Sequence, residues 1–205
     1  MPKFIAPQLL VRADHVPEGP QWIHEIKYDG FRILARRAGD AVKIQSRNDI
    51  NRYESFQTVA AEIVRLPFRN GILDGEIAAP RQDGTTWLRD LQQAIKYRKQ
   101  DIYYFVFDLL FLDGRDLRPL PLIERKGLLR ELLQAPPPHI IYANYLQDVA
   151  AAEVFRRACN AGAEGVVSKR AQSPYRSGRH DSWVKVKCPR RTDERGKVAN
   201  VSAVP

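Results

Sequence analysis

Trp22-Ile23-His24-Glu25-Ile26-Lys27-Tyr28-Asp29-Gly30-Phe31-Arg32 reads as a short strand running into a tight turn. Trp22, His24 and Ile26 alternate with Ile23, Glu25 and Lys27, the period of two that a pleated strand imposes. Asp29-Gly30 then supplies a hairpin turn signal. Two further strands, over residues 31–37 and 41–46, flank Ala38-Gly39-Asp40, so the opening is a β-meander. Upstream, the first twenty residues hold four prolines and little apolar periodicity, which predicts a surface arm over residues 1–20. Downstream, residues 53–66 carry Phe56, Val59, Ala60, Ile63 and Val64 at helical spacing, and Pro67 ends that helix. Further strands are predicted over residues 71–79, 102–112, 140–146, 164–169 and 183–188. Helices are predicted over residues 87–97, with Thr85 or Thr86 as cap, over 122–133, and over 149–159 behind Asp148. Strands joined by hairpin-length turns, with helices between groups of strands, predict an α+β fold on antiparallel sheets. Regular βαβ alternation, GxGxxG and GxxxxGK[ST] are all missing, which removes the dinucleotide-binding and P-loop classes.

The formal net charge is +9, and it is concentrated. Residues 164–191 hold eight Lys and Arg against Glu164 and Asp181, a balance of +6, while the remaining 177 residues carry +3. A local basic block of this kind calls for a polyanionic partner or a phosphate site. Cys159 and Cys188 stand 29 residues apart without a CxxC or a histidine at metal spacing. They predict a reducing compartment and neither zinc nor a disulfide. The apolar run 103–112 is broken by Asp108 and is too short for a bilayer, and the start MPKFIAPQLL lacks a secretory pattern.

A lone Lys-x-Asp-Gly is a weak signal, but the segments that follow it in order are not. They are Ser46-Arg47-Asn48, Leu73-Asp74-Gly75-Glu76, Phe105-Val106-Phe107-Asp108-Leu109, Glu164-Gly165-Val166-Val167-Ser168-Lys169 and Trp183-Val184-Lys185-Val186-Lys187. The ordered set resembles the nucleotidyltransferase motifs of ATP-dependent DNA ligases and of the related RNA ligases and capping enzymes. The wording of residues 25–32, 103–114 and 175–187 is most similar to the bacterial end-joining ligases of the ligase D type. The resemblance runs from about residue 20 to residue 188.

It implies two antiparallel β-sheets packed with helices around a nucleotide cleft, formed by an adenylation domain over residues 21–188. It also implies that Lys27 attacks the α-phosphate of ATP, expels pyrophosphate and carries AMP as a phosphoramidate. An amine is nucleophilic only when neutral, and nearby cations are one way to favour that form. Lys185 and Lys187, two apart on a strand and so on one face, match the phosphate-contacting pair. Glu164 matches the metal-binding glutamate, and Glu76 an acid at the ribose and near the metal. Arg32 and Arg47 match ribose- and phosphate-contacting arginines, and Phe107 the ring that stacks on the purine. Glu25 and Ile26 complete the nucleotide-binding set. The implied cofactors are ATP and Mg²⁺ or Mn²⁺, since phosphoryl-type transfer depends on positioning and charge neutralisation.

Nicked double-stranded DNA is the implied substrate and DNA repair the setting, in the bacterial cytoplasm at the nucleoid. Arg170, Arg176, Arg179, Arg190 and Arg191 are the expected DNA-backbone contacts. Family ligases continue into an OB-fold domain after the last lysine motif. Residues 189–205 are too few for such a barrel and read as a basic flexible tail, so an OB-fold or end-joining partner protein is expected in trans. A nucleotide- or nick-binding module without turnover, and an RNA ligase or capping-type transferase, are the alternatives on the same scaffold.

Overall fold

The computed structural model describes residues 1–97 and 101–189. One sheet has five strands, in the order β1 (Gln8–Arg12), β11 (Gly178–Lys187), β10 (Gly165–Arg170), β2 (Trp22–Ile26) and β9 (Tyr145–Leu146). The other runs β4 (Ala41–Ser46), β3 (Phe31–Ala38), β5 (Asn70–Ala78), β6 (Tyr103–Leu112) and β7 (Arg115–Asp116), with β8 (Ile140–Tyr142) also paired to β6. All pairings are antiparallel except β1 with β11 and β6 with β8. The helices are α1 (Gln57–Val64), α2 (Leu88–Lys96), α3 (Leu122–Leu132) and α4 (Ala151–Asn160).

Alternation along the strands builds three apolar layers. Ile33, Ala35, Leu73, Val106 and Leu109 face α1 to α3 and meet Phe56, Val59, Ile63, Leu91 and Leu129. Their alternates Leu34, Ile72, Phe107 and Leu110 face the other sheet and pack against Ile23, Tyr175 and Trp183. Val166 and Val186 point to the far side of that sheet, where α4 covers them with Ala151, Val154 and Ala158. The cleft therefore opens between the two sheets.

Several expectations need correction. Residues 1–20 are not a surface arm: β1 pairs parallel with β11, and Gln8 is buried. The Gln8 amide donates to Ser182 Oγ at 2.8 Å and accepts from the Arg176 backbone N–H at 2.8 Å. The prolines at 2, 7, 17 and 20 mask this strand, yet they fall outside it, where its ladder bonds are not interrupted. The strand expected over 140–146 splits in two. Ile140–Tyr142 joins β6, whereas Tyr145–Leu146 joins β2, so this stretch crosses from one sheet to the other. A 3₁₀ turn, Tyr53–Ser55, precedes α1 where one longer helix was expected.

The capping expectations also fail. The N-cap of α4 is Ala150, which gives no side-chain cap, and Asp148 adopts φ 58°. For α2, Asp29 Oδ2 accepts the Leu88 N–H at 3.2 Å, and the Asp29 N–H donates to Thr86 Oγ1 at 2.8 Å. The cap thus comes from the turn after Lys27, and it locks α2 to that turn. Gly30 in the same turn is required by close approach, since a Cβ there would lie 2.0 Å from the Ile77 carbonyl oxygen.

Cys159 and Cys188 form a disulfide, with Cα atoms 5.4 Å apart, against the expectation of none. Packing of α4 on the backs of β10 and β11 brings its last turn to the end of β11, a proximity that sequence spacing cannot disclose. Among the described residues, no helix is long and apolar enough to cross a membrane.

Candidate active site

Lys27 follows β2 directly, and its backbone N–H donates to the Gly165 carbonyl at 3.0 Å, which fixes it beside the start of β10. Its ammonium contacts the Glu164 carboxylate, and Lys187 Nζ reaches the other oxygen of that carboxylate at 2.9 Å. Burial disfavours the charged Glu164, but Lys27 and Lys187 outweigh it and hold the carboxyl below its ordinary range. Trp183, Lys185 and Lys187 share one face of β11, so the indole anchors the strand in the inter-sheet core while Lys185 lines the groove and Lys187 reaches Glu164. Burial, then Lys27 and Lys187, push Lys185 below its ordinary value.

The other sheet supplies the opposite wall. Arg32 and Glu76 stand across from each other on β3 and β5. The Arg32 guanidinium donates two bonds to Asp74, at 2.6 and 2.7 Å, and Tyr175 Oη donates to the same carboxylate at 2.7 Å. Asp74 is therefore the buried anchor of Arg32. Burial raises the Glu76 carboxyl to about 7, against the pull of Lys27 and Arg32.

A smaller pocket and a wider groove meet at Lys27, Arg32 and Glu76. Phe107, Val167, Lys169 and Trp183 line the pocket, with Glu25 and the exposed Ile26 at its edge. Lys169 Nζ lies 4.1 Å from the centre of the Phe107 ring, and the Arg32 guanidinium lies 4.6 Å from it. The Trp183 indole N–H is buried without a partner among the described residues. The groove, about 420 Å³, is lined by Arg47, Arg52, Arg179 and Lys185 beside Lys27 and Glu76. Arg176 lies on the exposed loop before β11, and Arg170 stacks 4.6 Å over Trp22 at the end of β10. Arg190 and Arg191 lie outside the described residues.

The sequence reading did not find the buried charges beneath the site. The Glu25 carboxylate takes Lys126 Nζ at 2.7 Å and Lys169 Nζ at 2.6 Å, so its side chain serves this cluster. Burial lowers Lys169 to about 8 although Glu25 opposes it. Lys169 had a motif signal. Lys126 had none, because nothing in a helix 101 residues downstream announces a partner for Glu25. Among the described residues no group of three or more His, Cys, Asp and Glu side chains is placed to hold a metal ion. Glu76 and Glu164 could therefore hold a hard cation only if substrate oxygens and water completed its shell.

A sequence-family model described as "ATP dependent DNA ligase domain" matches residues 7–187. The chain is 33% identical over 196 residues to the "Multifunctional non-homologous end joining protein LigD" of Pseudomonas aeruginosa, covering 94% of this chain and 23% of that protein. It is 36% identical over 174 residues to a "DNA ligase" of Methanoculleus marisnigri, covering 80% of this chain and 31% of that one. The solved structure of a mycobacterial DNA ligase D complexed with ATP and MES superposes with a TM-score of 0.74 at 29% identity, over 89% of this chain and 60% of that chain. The chain thus spans between about a quarter and a third of the length of these two sequence relatives.

Proposed function

The chain belongs to the ATP-dependent DNA ligase domain family, and from that membership we propose that it transfers AMP from ATP to Lys27 and then to the 5′-phosphate of nicked duplex DNA. The observation that carries the reading is the convergence of Lys27, Glu164, Lys185 and Lys187 from three neighbouring strands on one point of the cleft.

In the first step, Lys27 Nζ attacks the α-phosphorus of ATP, and the phosphorus–oxygen bond to pyrophosphate breaks with its electron pair. The amine must shed a proton before attack. The Glu164 carboxylate in contact with it is the acceptor at hand. Lys185 and Lys187 neutralise the α-phosphate, and Arg47 and Arg179 line the groove along which the remaining phosphates can extend. Phe107 and Val167 enclose the purine, with Ile26 at the rim, and Arg32 and Glu76 face the ribose. Glu76 and Glu164 would hold Mg²⁺ or Mn²⁺, whose contribution is to offset phosphate charge. In the later steps a DNA 5′-phosphate oxygen displaces Lys27 from AMP, and the 3′-hydroxyl then displaces AMP to seal the nick.

Arg170, Arg176 and Arg179 are assigned to the DNA backbone, with an OB-fold or end-joining partner completing the grip. The end-joining role in the name of the Pseudomonas relative supports a place in DNA repair, and the proposed setting is the bacterial cytoplasm at the nucleoid.

Incubation with labelled ATP and Mg²⁺, then denaturing electrophoresis, tests the central claim. The wild-type chain is expected to carry label and Lys27→Ala none; equal labelling of the two would remove Lys27 as nucleophile.

A further inference from the structure

Cys159 lies in the last turn of α4, and Cys188 is the first residue after β11. The loop closed by their bond contains Glu164, β10, Lys185 and Lys187. The Cys188 N–H donates to the Glu164 carbonyl at 3.1 Å, and adjacent Lys187 holds the Glu164 carboxylate. The bridge is therefore one residue from a cleft lysine and one backbone bond from the acid that contacts Lys27. Both cysteines are half-buried. Cys159 also lines an open groove of about 610 Å³ on the face away from the cleft, together with His15, Phe155, Arg156 and Pro189. A small thiolate can reach the sulfur there.

We propose that the Cys159–Cys188 bridge is a thiol-responsive latch on the cleft, opened by low-molecular-weight thiols and closed by the corresponding disulfide. A thiolate attacks Cys159 Sγ, the sulfur–sulfur bond breaks, and Cys188 leaves as a thiolate that takes up a proton. A second thiol attacks the outer sulfur of the mixed disulfide and releases Cys159. Two thiols are oxidised to one disulfide, and the protein gains two electrons and two protons. Closed, the bridge pins the end of β11 to α4 and keeps Lys187 opposite Gly165, the register that presents Glu164 and Lys187 to Lys27. Open, that end keeps its ladder bonds, the Lys187–Glu164 ion pair and the contact of Val186 with α4, and loses its covalent tie to α4. Accessible disulfides are the labile, regulatory ones, and Cys159 is reached from the open groove.

The structural half of this inference stands apart from the reading of Lys27 as nucleophile; only the effect on rate rests on it. The full chain is equilibrated in mostly reduced or mostly oxidised glutathione. Free thiols are then counted by alkylation and mass, amide hydrogen exchange is followed over residues 164–169 and 183–188, and the initial rate of Lys27–AMP formation is measured. The reduced form is expected to alkylate at both cysteines, exchange several-fold faster at Lys187 and Cys188, and adenylate several-fold more slowly, all reversed by reoxidation. Cys159→Ser and Cys188→Ser should match the reduced form in either buffer. Alkylation of both thiols in the folded, oxidised sample would overturn the proposal, and so would equal, measurable rates of AMP uptake in the two forms. If neither form takes up AMP while exchange still follows the thiol state, the Lys27 reading fails and the latch stands.

Discussion

Glu76 shows how one side chain can serve the site at the expense of the fold. Its carboxyl, raised to about 7 by burial, binds a proton more tightly in the folded chain than in the unfolded one, where a value near 4.5 applies. The folded form therefore holds more protons between those two values, and stability falls as pH rises from about 4.5 through about 7. Glu76→Gln removes this dependence. In ligand-free protein the variant is expected to be more stable than wild type at pH 8, by up to about 3 kcal/mol, with little difference at pH 4. Urea titrations at the two pH values measure this. The same substitution should lower Lys27 adenylation, since it removes a carboxylate from the proposed cation and ribose contacts. A variant less stable than wild type at pH 8 would show that the Lys27 and Arg32 charges outweigh burial.

At the scale of elements, α3 is joined to β6 by charge as well as by apolar contact. Arg125 and Asp108 are both fully buried, and two parallel bonds of 2.8 Å connect them. Asp108→Ala leaves a buried guanidinium without its counter-ion and should cost about 3–5 kcal/mol. Asp108→Leu with Arg125→Met should recover much of that loss and not all, because Arg125 also donates to the carbonyls of Leu120 and Ser173. Chemical denaturation of the single and double variants gives the comparison.

Helices and central strands were legible because each buries one face along its whole length, as Val59, Ala60 and Ile63 do on α1. The edge strand Gln8–Arg12 was not legible, since its pairing with β11 is decided by residues some 170 positions away. The split of residues 140–146 between two sheets was equally hidden, because an apolar run does not say which sheet receives it.

The molecule as a whole carries its excess charge on the cleft strands and the rim of the groove. Arg176 and Arg179 are exposed and have no ion pair among the described residues, so they are available to DNA phosphates. Replacing both by Ala should reduce the slope of log binding constant for nicked duplex against log salt by about 2, affecting all sequences alike. Fluorescence anisotropy across a salt series checks this; an unchanged slope would move the DNA face elsewhere. The disulfide also acts at this scale. Closing a loop across 29 positions restricts the unfolded chain, and its reduction is expected to lower stability by about 3–4 kcal/mol.

By itself the sequence determined the family and the kind of fold. Residue types such as Lys27, Glu164, Lys185 and Lys187 follow the family's motif pattern, and strand or helix period is a local property of the chain. The tertiary structure alone decided which charges meet: Glu25 with Lys126 and Lys169, Arg32 with Asp74 and Tyr175, and Cys159 with Cys188. Each of these contacts lies between segments far apart in the chain, and its existence depends on how two sheets and four helices bury their apolar faces against one another.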